Sequence, residues 1–230
     1  SSTLGLNSQN NWLANVDPPV RYSSASTADV NGDGSLDLIT SGRSDGNIGV
    51  LLGNGNGTFR ASTSFVGGVS STTFKIGDVN QDGKLDIITL SSGDNAVNVL
   101  LGNGNGTFAT AISIGSVTGG TKLVVGDISG DGKADIAVTS YSQDSVFFFA
   151  GNGDGSFRTS ISSAAGDGAS SINYKDVNED GFTDLVTASQ LDGKTNVLYG
   201  NGSGSFQTRV SLASGSGSQF TGIADLNRDG

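Results

Sequence analysis

The sequence predicts an all-β fold, a β-propeller of four-stranded antiparallel blades, on three observations. An aspartate-rich loop returns every 49 residues, beginning at Asp29, Asp78, Asp127, Asp176 and Asp225. A Gly-Asn-Gly turn keeps the same spacing and ends in Phe59, Phe108, Phe157 and Phe206. The segments between these markers are short and rich in β-branched residues, with no 3.6-residue periodicity. Two markers in step predict a tandem repeat, and 49 residues is about the length of one propeller blade.

Each repeat is predicted to contain four strands. One run precedes the aspartate-rich loop, as at 122–126, and a second follows it, as at 85–90. A polar turn such as 191–194 leads to a third run, as at 146–149, and a more polar fourth run follows the phenylalanine, as at 109–114. The apolar inner runs are typical of sheets covered on both faces. We therefore expect the repeated phenylalanine to be a wedge between neighbouring blades rather than a platform for a ligand.

The period divides the chain into blades of a single domain. The predicted units are a partial blade at 1–22, blades at 23–71, 72–120, 121–169 and 170–218, and the start of an incomplete blade at 219–230. About five blades are therefore expected, with one split or incomplete between the termini. An open blade exposes strand edges that pair readily with another chain, so self-association through that blade is a possible outcome.

The composition excludes several classes of function. The chain has no Cys, His or Met, which removes disulfides, thiolate or imidazole metal sites and any nucleophile paired with His. Its net charge is −10, but 14 of its 22 acidic residues lie at repeated loop positions. Neither an acidic tail nor a basic stripe is present, so we expect no nucleic-acid partner. No run of 18 apolar residues occurs, so we expect no membrane insertion.

The aspartate-rich loop reads Asp-x-Asn-x-Asp-Gly-x-x-Asp and has the chemistry of a calcium site. Calcium takes about six to eight oxygen ligands, and side chains at the first, third, fifth and ninth places can supply them together with the seventh carbonyl. Glycine at the sixth place permits the sharp turn. We predict four complete Ca²⁺ sites and a partial fifth. The candidate ligands are Asp29, Asn31, Asp33, Ser35 and Asp37; Asp78, Asn80, Asp82, Lys84 and Asp86; Asp127, Ser129, Asp131, Lys133 and Asp135; Asp176, Asn178, Asp180, Phe182 and Asp184; and Asp225, Asn227 and Asp229.

With this loop beside the Gly-Asn-Gly turn, the chain resembles the FG-GAP/VCBS repeat family, the calcium-loop propellers of integrin α-subunits, secreted bacterial repeat proteins and certain lectins. The resemblance implies a β-propeller with calcium in the loop that joins the first and second strands of each blade. Two departures matter. The family's Gly-Ala-Pro element is replaced, for example by Thr40-Ser41-Gly42, and only five loops are visible where integrin propellers have seven blades. An integrin-like ligand site is therefore not carried over.

We expect the calcium to be structural, because nearly identical loops recur in every repeat and none has a companion acid–base group of the kind that a catalytic ion needs. The leading hypothesis is a non-enzymatic, extracellular binding or adhesion module for a protein or carbohydrate ligand. A second hypothesis is a structural subunit of a surface layer or filament.

A third hypothesis is a polysaccharide lyase or hydrolase built on a propeller. A glycosidase needs a unique carboxylate pair. The acids outside the loop ligand positions are Asp17, Asp45, Asp94, Asp144, Asp154, Asp167, Glu179 and Asp192. Several of them fall in the hairpin turn of a repeat, where a solvated turn residue is the simpler interpretation.

Overall fold

A computed structural model describes residues 22–42, 45–215, 217, 219 and 221–224. These residues form sixteen strands and no helix, in four sheets of four consecutive antiparallel strands. The first sheet contains β1 (Tyr22–Ala28), β2 (Asp37–Gly42), β3 (Asn47–Leu51) and β4 (Thr63–Val66). The second contains β5 (Ser71–Gly77), β6 (Asp86–Ser91), β7 (Ala96–Leu100) and β8 (Ile112–Ser116). The third contains β9 (Gly120–Gly126), β10 (Asp135–Ser140), β11 (Ser145–Phe149) and β12 (Ile161–Ala164). The fourth contains β13 (Ala169–Lys175), β14 (Asp184–Ser189), β15 (Lys194–Leu198) and β16 (Val210–Ala213).

The predicted all-β class and the four-stranded repeat are therefore confirmed, with four complete blade-like sheets rather than five. The partial blade predicted at 1–22 and the fifth loop at 225–230 lie outside the described residues, apart from Tyr22, which begins β1. The fourth strand of the second sheet begins at Ile112, three residues later than predicted. The chain first closes a bridge between Gly102 and Phe108, and the N–H of Ala109 then donates to Leu101 before regular pairing resumes.

The hydrophobic core lies between adjacent sheets. Each second strand is paired on both sides, and all six residues of β6, β10 and β14 are buried. Because successive side chains of a strand point to opposite faces, one strand contributes to two cores. In β9, Leu123 packs in one cluster with Ile88 of the second sheet, whereas Val124 packs in another with Leu185 of the fourth. The sheets are thus stacked side by side like blades.

Phe108, Phe157 and Phe206 pack in the buried clusters between sheets, which confirms the predicted wedge at these three positions. The ring of Phe108 is 7% exposed and meets Phe65 of the preceding sheet edge to face, with ring centres 5.4 Å apart. Phe206 meets Phe148 in the same way at 5.6 Å. Such pairs prefer this geometry because the positive ring edge faces the negative ring face.

The first strands of the four sheets lie next to one another around a shared cavity. β1 is beside β5, β5 beside β9, and β9 beside β13. The cavity they line has a volume of about 650 Å³. Beyond the fourth sheet, the backbone of Thr221 lies against β13, where its carbonyl accepts a hydrogen bond of 2.6 Å from the Asn173 amide. The chain therefore continues around the same cavity. No helix of the length and hydropathy needed to cross a membrane occurs in the described residues.

Candidate metal centre

The four described aspartate-rich loops lie at the same end of their sheets. Each joins the first strand to the second, at residues 29–36, 78–85, 127–134 and 176–183. The Gly-Asn-Gly turn that follows each third strand is found at the same end, because its first glycine is hydrogen-bonded to the loop's last aspartate. At this end of every sheet, a loop and a turn are therefore in contact.

The ninth-place aspartates are fully buried, with 0% exposure at Asp37, Asp86, Asp135 and Asp184. In the second loop, Asp86 Oδ2 accepts the N–H of Val79 at 2.9 Å and Oδ1 accepts the N–H of Gly102 at 2.8 Å. The other three loops repeat both bonds at 2.8–3.0 Å. This carboxylate therefore links the loop to the turn by hydrogen bonds. The ligand motif alone does not reveal that role, although the constant 16-residue spacing from Asp to Gly is a signal for it.

The first-place aspartates shape the loop. Each accepts the N–H of the sixth-place glycine, at 2.8 Å in the pair Gly34–Asp29 and at 2.8–3.0 Å in the other three loops. Gly34 has φ +83°, a left-handed conformation that residues with a Cβ rarely adopt. The sixth-place glycine thus turns the chain back so that its N–H meets the first carboxylate.

The fifth-place aspartates accept the N–H of the seventh residue at 2.8–3.0 Å, which places Ser35, Lys84, Lys133 and Phe182 in the same tight turn. Hydrogen bonds from the Asn31 amide and from the backbone N–H of Ser35 lower the pKa of Asp33. The backbone N–H of Lys84 lowers the pKa of Asp82, and its ammonium group lies 3.2 Å from that carboxylate. These aspartates therefore stay ionised to a lower pH than usual.

The third-place residue differs in one loop. Asn31, Asn80 and Asn178 each accept the N–H of the fifth-place residue at 3.0–3.1 Å. Ser129 stands at this place in the third loop, and its side chain is too short to copy that bond. Its hydroxyl is buried and makes no hydrogen bond of ordinary length and angle with any described residue, while the residue itself is 8% exposed.

The donor set fits a hard cation in its chemistry. All the candidate ligands offer oxygen, and the unpartnered hydroxyl of Ser129 is one that a cation would satisfy. Burial raises the pKa of Asp86, and the charges of Asp82 and Asp78 raise it further against the lowering effect of its N–H partners. As the side chains are placed, however, no three acidic groups among the described residues converge into a set that could hold a metal. Backbone N–H, amide and ammonium groups form hydrogen bonds or ion pairs with the carboxylates instead. A bound ion would have to replace some of these partners.

Neighbouring loops and turns are connected. The Gln81 amide of the second loop donates to the carbonyl of Gly132 in the third at 2.7 Å. The N–H of Gly106, in the turn of the second sheet, donates to Val30 in the first loop at 3.2 Å. At the loop end, the second sheet is therefore linked to both the first and the third.

Five of the eight acids outside the loop ligand positions accept backbone N–H groups in the described residues, among them Asp154, which accepts the N–H of Ser156 at 2.9 Å. Asp45, Asp94 and Asp192 accept N–H groups two residues later in their own turns, at 3.1–3.3 Å. Asp144 accepts the N–H of Gly168 at 2.7 Å. These four occupy the hairpin turns of four different sheets, so they do not pair with one another. Asp17 lies outside the described residues.

Comparisons with known proteins agree with this architecture. A family model described as FG-GAP-like repeat matches residues 29–89, 78–138, 127–187 and 176–230. A lectin from Agrocybe aegerita, solved to explain its recognition of non-reducing terminal N-acetylglucosamine, superposes with a TM-score of 0.56 at 22% identity over 81% of this chain. The BBS1N chain, solved in complex with ARL6DN, superposes with a TM-score of 0.57 at 11% identity over 84% of this chain. The chain spans 51% and 57% of the length of those two proteins. A search of curated proteins gives no match.

Proposed function

Because the chain belongs to the FG-GAP-like repeat family, we propose that it forms part of a calcium-stabilised β-propeller that acts as a non-enzymatic, extracellular binding or adhesion module. The observation that supports this proposal most directly is the repeated arrangement of loops at one end of the sheets. Four oxygen-rich loops lie at one end of four sheets, and a buried aspartate ties each loop to the turn of its own sheet. Calcium in these loops would make that end a rigid surface for a ligand.

Calcium has a structural role in this proposal. Clustered carboxylates repel one another until a cation neutralises them, and the raised pKa of Asp86 has this repulsion as one of its causes. With free calcium about tenfold above the dissociation constant, each site stabilises the fold by about 1.4 kcal/mol. Four sites together supply roughly 6 kcal/mol, which is comparable to the stability of an ordinary domain. Extracellular fluids hold calcium at the concentrations that such modules require.

The proposed ligand is a carbohydrate or a protein. Carbohydrate is the first class to test, because a lectin that binds N-acetylglucosamine shares the fold. A glycan array probed in millimolar calcium and again in chelator tests this version. We expect hits that disappear with chelator. An array without hits at saturating calcium removes the lectin version and leaves a protein ligand, which a pull-down under the same two conditions addresses.

The alternative function is a structural subunit of a surface layer or filament. The outer strands β4, β8, β12 and β16 are paired on one side only, and each exposes apolar side chains. Val66 and Ile112, for example, are 69% and 59% exposed. Light scattering in calcium separates the two functions, because a subunit of this kind assembles with rising concentration and a stable monomer rules it out.

A propeller-based polysaccharide lyase or hydrolase is the least favoured function. It would need two carboxylates facing one substrate bond. The acids of the hairpin turns each accept N–H groups of nearby backbone and lie in separate sheets. Release of reducing ends from acidic or neutral polysaccharides is the assay that would overturn the non-enzymatic proposal.

A further inference from the structure

Seven Asn-Gly pairs occur in the chain, and all of them are among the described residues. They begin at Asn31, Asn54, Asn56, Asn103, Asn105, Asn152 and Asn201. Asparagine is chemically labile before glycine, because a residue without a side chain does not shield its backbone nitrogen. Six of the pairs lie in the Gly-Asn-Gly turns, so the repeat presents one reactive dipeptide in several hydrogen-bonding environments.

Deamidation of such a pair needs no partner other than water. The backbone nitrogen of the glycine attacks Cγ of the asparagine, and a C–N bond closes a succinimide ring. The bond from Cγ to Nδ2 breaks, and Nδ2 leaves as ammonia with the proton that the glycine nitrogen gives up. Water then opens the ring to aspartate or isoaspartate. Donors to Oδ1 favour the first step, because they stabilise the negative charge that develops on that oxygen.

Asn56 and Asn105 are set up for this reaction. Asn56 Oδ1 accepts the N–H of Thr58 at 3.1 Å and its hydroxyl at 2.7 Å. Asn105 Oδ1 accepts the same two groups of Thr107 at 3.0 and 2.6 Å. Because a backbone N–H can only donate, these bonds place Oδ1 on that side and turn Nδ2 away. Both asparagines are exposed, and neither Nδ2 has an acceptor among the described residues.

Asn201 differs from these two in a single bond. Its Oδ1 accepts the N–H and the hydroxyl of Ser203 at 3.1 and 2.7 Å, as Asn56 does with its own neighbour. Its Nδ2, however, donates to Ser205 Oγ at 2.7 Å. That bond holds the leaving nitrogen and the amide plane in place, so it must break before the ring can close.

The remaining four asparagines are also held through Nδ2. Three of them occupy the place equivalent to Asn201 in the other turns and donate Nδ2 to a hydroxyl at 2.9 Å: Asn54, Asn103 and Asn152. Asn31, in the first aspartate-rich loop, donates Nδ2 to Asp33 at 2.9 Å. Five of the seven pairs therefore have a restrained leaving group.

The attacking nitrogens of the two unrestrained pairs are at most weakly bound. The N–H of Gly57 has no acceptor among the described residues, and that of Gly106 donates to the carbonyl of Val30 at 3.2 Å. This distance is at the long end of the range for N–H···O bonds. Neither nitrogen is therefore held strongly away from the reaction.

The turn accepts the aspartate that the reaction would produce. Asp154 is the equivalent residue of the third sheet, and its Oδ1 accepts the hydroxyl of Ser156 at 2.6 Å and the N–H at 2.9 Å. These bonds, and more weakly the charge of Lys133 in the neighbouring loop, lower the pKa of Asp154. A carboxylate in this place therefore keeps the hydrogen bonds of the turn and adds a negative charge beside the aspartate-rich loop.

We propose that Asn56 and Asn105 are sites of spontaneous deamidation, and that Nδ2 hydrogen bonds protect the asparagines of the other five Asn-Gly pairs. Each event adds one negative charge to the loop end of the molecule. The proposal is independent of the proposed function, because neither an ion nor a ligand takes part in the reaction.

Peptide mapping by mass spectrometry, after the folded protein has aged in mildly alkaline buffer with calcium, tests the proposal. The gain in mass when NH₂ is replaced by OH identifies deamidation, and isomerisation of Asp-Gly pairs leaves the mass unchanged. We expect Asn56 and Asn105 to convert about fivefold or more faster than Asn201, because the latter must first break a hydrogen bond. In urea, where these bonds are absent, the seven rates should converge.

The discriminating variant is Ser205→Ala, which removes the acceptor of Asn201 Nδ2. The rate at Asn201 should rise toward that of Asn56. Ser203→Ala is the matched control, because it removes a hydroxyl from the same turn and leaves the bond to Ser205 intact, so Asn201 should stay slow. Thermal melting checks that both variants fold as the parent does.

Three results would overturn the proposal. The first is failure of Asn56 or Asn105 to convert ahead of Asn201 in the folded parent. The second is a rate at Asn201 that Ser205→Ala does not change. The third is an acceleration at Asn201 by Ser203→Ala as large as that by Ser205→Ala.

Discussion

At the scale of single residues, the ninth-place aspartate has two roles. The motif assigns it to calcium, and the structure buries it completely with both carboxylate oxygens accepting backbone N–H groups. Hydrogen bonds to a charged group contribute about 1.5–3 kcal/mol each, and a buried N–H left without an acceptor costs about as much. The residue therefore satisfies two buried N–H groups at the junction of loop and turn, while burial and the charges of Asp82 and Asp78 offset part of that stabilisation as long as no ion is bound.

Replacing Asp86 by Asn tests this role. The amide keeps one acceptor oxygen but turns an NH₂ group toward a backbone N–H, so we expect the free energy of unfolding to fall by about 2–4 kcal/mol. Urea unfolding in chelator measures the effect without a contribution from calcium. Asp154→Asn is the control, because Asn56 occupies the equivalent exposed place, and it should change the value by less than about 0.5 kcal/mol. Equal effects of the two substitutions would contradict the role of Asp86 in linking loop and turn.

Substitution of Ser129 tests its hydroxyl, because we expect the effect on stability to differ in sign between chelator and calcium. It is buried without a partner, so Ser129→Ala should leave stability in chelator unchanged or raise it by up to about 1 kcal/mol. In calcium the same change removes a ligand from the third loop and should lower the melting temperature below that of the parent. Ser129→Asn, which restores the residue of the other loops, should not. A loss of stability in chelator equal to that in calcium would show that the hydroxyl has no part in metal binding.

At the scale of the elements, equivalent positions hold the sheets together by different chemistry. In the second and fourth sheets a buried Asn amide donates to a carbonyl just after the preceding sheet, Asn98 to Gly67 at 3.1 Å and Asn196 to Ala165 at 2.9 Å. The third sheet has Phe147 at this place, packed against the apolar core between the second and third sheets. The repeat thus accepts a polar or an apolar side chain here, because each Asn amide donates to a carbonyl, as buried polar groups require, and the Phe147 ring packs on apolar side chains.

The wedge between sheets can be tested at Phe108. Truncation to Ala removes an almost fully buried ring and its edge-to-face contact with Phe65, so the free energy of unfolding should fall by about 3–5 kcal/mol. Thr110→Ala, two residues on and exposed, should change it by less than about 0.5 kcal/mol. Chemical denaturation followed by circular dichroism gives both values. A loss below about 1 kcal/mol for Phe108→Ala would mean that the sheets do not depend on the wedge.

At the scale of the whole molecule, stability is distributed along an array. Three buried clusters lie between successive sheets, and at the loop end Gln81 and Gly106 link the second sheet to the third and the first. In such arrays the terms that couple neighbours decide how cooperatively the chain unfolds. Ions bound in successive loops would therefore act on one cooperative unit.

Removal of calcium should destabilise the whole array. At about tenfold excess over the dissociation constant, four ions contribute roughly 6 kcal/mol, which corresponds to a rise of roughly 10–25 °C in melting temperature for a chain of this size. Differential scanning calorimetry with stepwise calcium, and with chelator, measures it. Magnesium is the control, because it demands a smaller, near-octahedral shell and should stabilise far less. A melting temperature that chelator does not change would contradict the calcium proposal.

The sequence by itself determined the repeat, the strand order, the place of each loop and the wedge at Phe108. All of these depend on residues close together in the chain and repeated at one interval, so period and local pattern suffice. Only the tertiary structure decided that the ninth aspartate faces two N–H groups, one of them 16 residues away. It alone also placed the four first strands, β1, β5, β9 and β13, around one cavity. That arrangement depends on how one sheet packs beside the next, which long-range packing sets and no local pattern records.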